Sequence, residues 1–263
     1  MPEITLSNGV TIHYEEHNPA GEPAVLLLHG LGSAGADWIL QFPPLVSAGY
    51  RVLAPDLRGF GQSSWPGATS VPAMAGDMVL LLQELETGPA HVVGISMGGT
   101  VALQLALNHT DLVRLLVLVN TFARLRPQGL SGYLYFPTRM LLMYTVGIET
   151  QARAVTRRIF PHPDQEEFRE ELFQRIVNTD PQAYRASMWA LARFNVEKRL
   201  AEIRVPTLVV TGGQDTTVPP ASQRRLAEGI PGARQVVIPE AGHAVIIDHP
   251  DEFNEALLSF LAE

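Results

Sequence analysis

Apolar and polar positions along the first 120 residues follow two different periods. Short apolar runs, such as the continuous AVLLLH of residues 24–29, predict strands that are buried on both faces of a sheet. Between these runs lie segments whose apolar residues recur at helical spacing. The predicted strands are residues 4–6 and 10–14, joined by a turn at Asn8-Gly9, and residues 24–29, 50–54, 91–95 and 112–119; the predicted helices are residues 74–85 and 100–107. Strands that alternate with helices are typical of a mostly parallel sheet.

The alternation stops after about residue 120. Residues 121–195 show a helical pattern without a convincing strand. The remaining predicted elements are strands at residues 205–211 and 235–238 and helices near residues 220–228 and after Pro250. We therefore expect an α/β fold with a mostly parallel sheet flanked by helices. Residues 1–120 and 196–263 would form its core, and residues 121–195 an inserted helical cap.

Residues 94–99 read Gly-Ile-Ser-Met-Gly-Gly and contain the pattern G-x-S-x-G. The pattern lies where the strand 91–95 meets a buried helix, which is the strand-turn-helix setting of a nucleophile elbow. Such a turn strains the backbone of the serine, and the flanking glycines remove Cβ atoms that would clash. The pattern therefore predicts Ser96 as a catalytic nucleophile; a serine that only caps a helix is the plainer alternative.

Two later residues complete the predicted site. A serine hydroxyl attacks weakly unless a base accepts its proton. Asp215 follows the strand 205–211 and His243 follows the strand 235–238, so both lie at strand ends where catalytic groups collect in α/β sheets. The order serine, acid, histidine is the one expected with a nucleophile elbow. We predict Ser96, Asp215 and His243 as a catalytic triad in which Asp215 orients the imidazole.

The negative oxygen that develops during attack on a carbonyl needs hydrogen-bond donors already in place. Met97 supplies a backbone N–H directly after the nucleophile. Leu31 supplies a second one, in the sequence His29-Gly30-Leu31-Gly32 that follows the strand 24–29. These two N–H groups are the predicted oxyanion hole, and His29 is expected to be structural rather than a base.

Taken together, these motifs resemble those of the α/β-hydrolase superfamily, and the resemblance covers nearly the whole chain. His29-Gly30 is similar to its oxyanion motif, residues 56–63 (DLRGFGQS) to its D-x-R-G-x-G-x-S loop, and GISMGG, GGQDTTVP and AGHAVIIDHP to its triad motifs. The resemblance is weak over residues 121–195, which correspond to the cap of such proteins. The strand 112–119 ends at Asn120, where some relatives place the catalytic acid.

The resemblance also narrows the chemistry. Haloalkane dehalogenases and epoxide hydrolases of this fold carry aspartate where this chain has Ser96. Serine families that it resembles include carboxylesterases, 3-oxoadipate enol-lactonases, meta-cleavage C–C hydrolases, and cofactor-free haloperoxidases or perhydrolases. The C–C hydrolases usually have asparagine before the serine. This chain has Ile95 there, so C–C hydrolysis is less favoured than the other activities.

Aromatic residues are concentrated in the predicted cap: residues 122–198 hold 11 of the 19 in the chain. Side chains of this kind above the nucleophile favour an apolar acyl or alcohol group. Tyr133, Tyr144 and Trp189 are the predicted pocket residues. The alternative is that the aromatic residues form the cap's own small core.

Charge and composition limit the partners and the compartment. The net charge of −8 argues against nucleic acid as a main partner. No run of residues approaches the roughly 20 apolar positions that span a bilayer, so no membrane association is expected. The chain has no cysteine and no apparent secretory signal at its start, which suits the cytoplasm. The sequence makes no prediction of oligomeric state.

The leading functional hypothesis is hydrolysis of a small or medium, largely apolar carboxylic ester or lactone through an acyl-enzyme, with no metal or organic cofactor. C–C bond hydrolysis and peracid formation, in which hydrogen peroxide replaces water, are alternatives within the same resemblance. A ligand receptor that keeps the triad but does not turn over is a hypothesis of another class.

Overall fold

In the computed structural model, which describes residues 2–125, 134, 137–139, 141 and 143–263, eight strands form one sheet. They are β1 (Glu3–Thr5), β2 (Thr11–His17), β3 (Ala24–Leu28), β4 (Arg51–Pro55), β5 (Ala90–Ile95), β6 (Val113–Val119), β7 (Thr207–Gly212) and β8 (Arg234–Ile238). The order across the sheet is β1-β2-β4-β3-β5-β6-β7-β8. The pairs β1–β2 and β2–β4 are antiparallel, and all the others are parallel. The predicted α/β fold class is confirmed.

Helices of the described ranges lie between and after the strands. They are α1 (Phe42–Ser47), α2 (Val71–Glu84), α3 (Met97–Asn108), α4 (Gly147–Ile159), α5 (Glu166–Asn178), α6 (Pro181–Arg193), α7 (Pro220–Gly229), α8 (Val245–Asp248) and α9 (Pro250–Leu261). Helices α2, α3 and α7 bury their apolar residues in the core on one face of the sheet, whereas α1, α8 and α9 do so on the other. The sheet is therefore covered on both faces, which explains why every residue of β3 is buried.

Short elements were absent from the sequence prediction. Helix α1 has only six residues, with Pro43 and Pro44 in its first turn, and a helical period cannot be read from so few positions. Leu112 belongs to a short 3₁₀ turn, Thr110–Leu112, so β6 begins one residue later than predicted. Arg114, which interrupts the apolar run of β6, is its exposed residue.

The segment between β6 and β7 supplies α4, α5 and α6, and the structure places no strand in the described part of it. Its two ends meet, because Arg124 and Asn195 form an isolated antiparallel bridge and the Val196 N–H donates to the Ala123 carbonyl at 3.0 Å. An insertion whose ends lie together leaves the strand order on either side undisturbed. None of the helices within the described ranges combines the length and apolarity needed to cross a membrane.

Candidate active site

Ser96 occupies the turn between β5 and α3, with backbone angles φ 53° and ψ −113°. A side-chain-bearing residue rarely adopts such a conformation, so neighbouring contacts must hold it in place. The Ser96 N–H donates to the Val119 carbonyl at 2.9 Å, and its own carbonyl accepts from the Thr100 N–H at 3.3 Å. These bonds tie the strained residue to β6 on one side and to α3 on the other.

Glycines make this turn possible by letting backbone segments approach closely. A Cβ atom at Gly98 would run into the Leu28 carbonyl, and one at Gly94 would run into the backbone of Gly98. A Cβ at Gly99 would lie 2.5 Å from the Cβ of Thr121. The sharp turn therefore requires glycine at all three positions, as the sequence analysis expected of a nucleophile elbow.

Asp215 and His243 are joined at the carboxyl ends of β7 and β8. The Oδ2 of Asp215 lies 2.8 Å from the Nδ1 of His243, and both residues are buried. The other carboxylate oxygen, Oδ1, accepts the N–H groups of Thr217 at 2.7 Å and of Val218 at 2.9 Å. The carboxylate is thus fixed by the backbone that follows it, and it can hold the imidazole in the tautomer that carries its proton on Nδ1.

Ser96 and His243 line the same cavity, which has a volume of about 390 Å³. No hydrogen bond joins the Ser96 hydroxyl to the His243 ring within the described chain. Serine–histidine contacts are often loose before a substrate binds, so this arrangement is compatible with proton transfer in a complex. The structure thus brings Ser96 and His243 to one cavity, and Asp215 contacts His243 without lining that cavity.

Most of the cavity wall is apolar, and the larger share of its apolar side chains comes from residues between β6 and β7. Among these residues are Phe122, Leu125, Val155, Phe160, Leu172 and Met188. Core loops contribute Leu31, Ile95 and Val218. A largely apolar cavity with a few convergent polar groups at one end is the usual form of a small-molecule site.

Five charged side chains also line the cavity: Asp37, Arg124, Arg139, Arg158 and Glu171. Asp37 is held by an ion pair with Arg175, at 2.7 Å between its Oδ1 and the arginine Nε. Arg139 donates to the Tyr184 hydroxyl at 3.3 Å, and Arg158 donates to the Thr216 carbonyl. Of the five charged side chains, three are positive and two are negative.

Comparison with known proteins agrees with this fold. A sequence profile of the alpha/beta hydrolase fold matches residues 23–250. The chain belongs to the α/β-hydrolase family. A protein from Variovorax paradoxus (strain S110), named carbamate hydrolase RutD, is 36% identical in an alignment of 262 positions that covers 95% of this chain and 96% of that protein.

Two solved structures are similar over nearly their whole length. An enol-lactonase from Burkholderia xenovorans LB400 is 30% identical with a TM-score of 0.90, and the match covers 100% of both chains. A thermophilic esterase from Thermogutta terrifontis, solved with malate bound, is 29% identical with a TM-score of 0.86; the match covers 99% of this chain and 97% of that one. These similarities support a hydrolase of this fold.

In this α/β hydrolase Met97, one predicted oxyanion donor, directly follows the nucleophile; Leu31, the other, follows Gly30, where a Cβ would lie 3.6 Å from the Ser96 Cβ. Met97 is the first residue of α3, and the N–H groups at the start of a helix lack partners within it and attract negative charge. Leu31 lines the cavity. Neither N–H takes part in a turn or loop hydrogen bond with the described residues, so both are available to a ligand.

His29 has a structural place in this hydrolase. It is fully buried, and its Nε2 accepts the Leu57 N–H at 2.9 Å while its Nδ1 donates to the Gly30 carbonyl at 2.7 Å. Burial lowers the pKa of the His29 imidazole, which keeps the ring neutral. The ring thus links the loop after β3 to the loop after β4.

The loop of residues 56–63 is held by its own charged residues. Asp56 accepts the N–H groups of Gly35 at 2.7 Å and of Gln62 at 2.9 Å. Arg58 forms a buried ion pair with Asp77 of α2. These contacts fix the loop after β4, and none of them reaches the cavity.

Two of the three predicted aromatic pocket residues, Tyr144 and Trp189, do not line the cavity. Tyr133 lies outside the described residues. Tyr144 is 63% exposed and packs beneath the guanidinium of Arg185, and Trp189 is 38% exposed beside Arg193. Neither ring is among the residues that face the cavity.

Helix α6 shows the physical reason for this difference. Tyr184, Met188 and Leu191 recur at four- and three-residue spacing and face the cavity. Trp189 is one position beyond Met188, about 100° around the helix, so it turns towards solvent. The helical pattern could have identified the apolar face of α6. No sequence signal, however, shows which face of a helix in this segment lines the cavity.

No group of three or more histidine or acidic residues within the described ranges has the arrangement of a metal site. The sequence indicated Asn120 only as the position where some relatives place the acid, and it gave no role to Thr121; the structure places both in contact with the backbone of the site. Their polar side chains directly after an apolar strand were the available signal.

Proposed function

We propose that this hydrolase cleaves a small or medium, largely apolar carboxylic ester or lactone through an acyl-enzyme. The observation that carries the proposal is the 2.8 Å contact between Asp215 and His243 beside a cavity that Ser96 also lines. This arrangement supports Ser96 as the nucleophile and His243 as the base at one apolar cavity, with Asp215 as the group that orients the base.

In the proposed reaction, His243 accepts the Ser96 proton as the serine oxygen bonds to the substrate carbonyl carbon. The resulting oxyanion accepts hydrogen bonds from the N–H groups of Leu31 and Met97. His243 then protonates the departing alkoxide as the ester bond breaks. Water, activated by the same imidazole, releases the acid and restores Ser96.

Residues 121–195 are proposed to act as a cap that selects the substrate, with residues 1–120 and 196–263 as the catalytic core. The support is that this segment supplies most of the apolar cavity wall and that its ends meet at the Arg124–Asn195 bridge. A cap of this composition favours apolar acyl or alcohol groups. Because Arg124, Arg139 and Arg158 lie on the same wall, substrates with a negatively charged end group are also to be tested.

Carbamate hydrolysis is the second candidate. It is favoured by the similarity, 36% over 95% of the chain, to a protein named carbamate hydrolase. A carbamate also presents a carbonyl carbon to a serine nucleophile, so the same three residues would serve, with a carbamoyl-enzyme in place of the acyl-enzyme.

The test compares wild type with Ser96→Ala on p-nitrophenyl acetate and butyrate. We expect the substitution to lower kcat/KM by at least about 10³-fold, because a triad that lacks its nucleophile retains only the effect of binding and the oxyanion hole. Thermal unfolding of both proteins shows whether the variant is folded. A Ser96→Ala variant that keeps most of the activity would exclude Ser96 as the nucleophile.

A substrate panel then separates the candidates. It contains esters of increasing acyl length, esters with and without a terminal carboxylate, lactones and aryl carbamates, each run with the Ser96→Ala control. A clear excess of kcat/KM for carbamates over the matched esters would favour the second candidate.

A further inference from the structure

Asn120 follows β6 directly and lies within the site without facing its cavity. It is fully buried, and its φ of 43° is one that few residues other than glycine adopt, although asparagine does so more readily than most. Its N–H donates to the Val210 carbonyl of β7 at 3.1 Å, so the residue sits at the carboxyl end of the sheet between two strands.

The side chain of Asn120 contacts the segments that carry the base and the acid. Its Nδ2 donates to the carbonyls of Gly242 at 2.9 Å and of His243 at 2.8 Å. Its Oδ1 accepts the N–H of Gly212 at 2.8 Å, three residues before Asp215. Two carbonyls on one side and an N–H on the other fix the orientation of the amide.

This arrangement explains why the residue is asparagine and not aspartate. A carboxylate at position 120 could accept from Gly212 but would face the carbonyl oxygens of Gly242 and His243 without a proton to share. Only a group that is both donor and acceptor satisfies all three partners.

Thr121 makes the corresponding contact with the nucleophile. Its hydroxyl donates to the Ser96 carbonyl at 2.6 Å, and its side chain packs where a Cβ at Gly99 would lie. Thr121 is fully buried. The two residues that follow β6 therefore bond to the main chain of Ser96, to that of His243, and to the strand end that leads to Asp215.

We propose that Asn120 and Thr121 are positioning residues that set the relative placement of the three triad members; this rests on the proposed function. They act on carbonyls and an amide, and neither faces the cavity, so they contact no substrate. A displacement of about 1 Å between reacting groups can reduce the rate about 100-fold, which makes a buried, fully bonded link between the loops important for rate.

Thr121 offers a matched pair of substitutions. Thr121→Val has nearly the same shape but cannot donate to the Ser96 carbonyl, whereas Thr121→Ser keeps the hydroxyl and loses only a methyl group. The Ser96 carbonyl keeps the Thr100 N–H as a partner, so Thr121→Val should fold. We expect Thr121→Val to lower kcat on p-nitrophenyl butyrate about tenfold with KM within twofold of wild type, and Thr121→Ser to retain at least half of kcat.

Asn120→Asp is the second variant, since it keeps the shape and removes both donors to the His243 loop. We expect kcat to fall between about tenfold and 100-fold, again with KM nearly unchanged. Thermal unfolding is recorded for each variant, and all kinetics are measured well below the melting temperature. If Asn120→Asp does not fold, the comparison of Thr121→Val with Thr121→Ser still tests the proposal.

A fluorophosphonate probe tests positioning separately from the proposed function. The Ser96 oxygen displaces fluoride from the phosphorus of the probe, and the rate of this labelling is measured for each variant. We expect the wild type to be labelled at Ser96, Thr121→Val to be labelled about tenfold more slowly, and Thr121→Ser to be labelled at the wild-type rate. This result supports the proposal that Thr121 is a positioning residue. Folded Thr121→Val and Asn120→Asp that label and turn over like wild type overturn positioning and leave the proposed function intact. Wild type that never labels at Ser96 overturns both.

Discussion

Asp215 shows how individual atoms define the site. One carboxylate oxygen is held by the N–H groups of Thr217 and Val218, so the other must face the Nδ1 of His243. The orientation of the carboxylate is therefore set by its own loop before any substrate arrives. An ionised carboxylate in this position stabilises the imidazolium that forms when His243 accepts a proton.

The substitution Asp215→Asn tests this geometry. The Asn oxygen will accept the two N–H groups, and its NH₂ will then point at His243 and force Nδ1 to act as an acceptor. The Nε2 then carries the proton and cannot accept one from Ser96, so we expect kcat on p-nitrophenyl butyrate to fall on the order of 10⁴-fold. The exposed Asp251→Asn is the control and should keep wild-type kcat. A loss smaller than tenfold in Asp215→Asn argues against its role in the triad.

At the scale of elements, the junction of β5 and α3 depends on the absence of side chains. Helix α3 passes so close to the end of β3 that a Cβ at Gly98 would meet the Leu28 carbonyl. Gly76, in the interior of α2, has nothing within 4 Å of the same position. The surroundings of the two helical glycines therefore differ: backbone lies against Gly98, and open space lies beside Gly76.

We expect opposite effects from the same substitution at these glycines. Gly98→Ala should lower the free energy of unfolding by about 3 kcal/mol or more, because backbone must move to admit the methyl group. Gly76→Ala should raise it by about 0.4–1 kcal/mol, since alanine restricts the unfolded chain and fits the helix. Urea unfolding measures both. Equal effects at the two positions would contradict the close approach of α3 to β3.

His91 of β5 makes the stability of the sheet sensitive to acid. Burial, and to a smaller extent the charge of Arg114, lowers the pKa of the His91 imidazole from 6.5 to about 4. The ring meets that of Tyr50 edge-on at 5.7 Å. Between pH 6.5 and 4 the unfolded chain therefore binds a proton that the folded chain does not bind.

Because the unfolded state gains protons first, we expect the free energy of unfolding to fall as the pH is lowered from about 6.5 to 4. His91→Phe keeps an aromatic ring against Tyr50 and removes the titration, so this variant should show a shallower fall over the same range. His29, whose pKa burial also lowers, should preserve part of the slope. Urea unfolding at several pH values makes the comparison, with the exposed His162→Gln as control. A slope in His91→Phe equal to that of wild type would contradict this assignment.

At the scale of the whole molecule, the site is built between two parts of the chain. Residues before β6 and after β7 supply Ser96, Asp215 and His243, while the segment between those strands supplies most of the apolar wall. Under the proposed function, different segments would therefore carry catalysis and substrate selection. Substitutions in the cavity wall should therefore change the substrate preference more than they change the rate of cleavage of a small substrate.

Leu172→Trp tests this separation. Leu172 lines the cavity from α5 and is only partly buried, so a larger ring at this position can occupy cavity space. We expect kcat/KM for p-nitrophenyl octanoate to fall on the order of tenfold, with little change for the acetate. Leu141→Trp introduces the same change at a side chain that is 62% exposed and does not line the cavity, and should have no effect. Equal losses for both esters would argue against selection by this wall.

The sequence alone determined the α/β fold and the separate strand ends on which Ser96, Asp215 and His243 lie. Both follow from local information: hydrophobic periods define strands and helices, and turns with glycine carry recognisable motifs. The tertiary structure alone decided which residues line the cavity, turning Trp189 towards solvent and Met188 inwards. It also brought Asn120 to the backbone of His243, 123 positions away in the chain. Such contacts depend on how distant elements pack, and no local period encodes that packing.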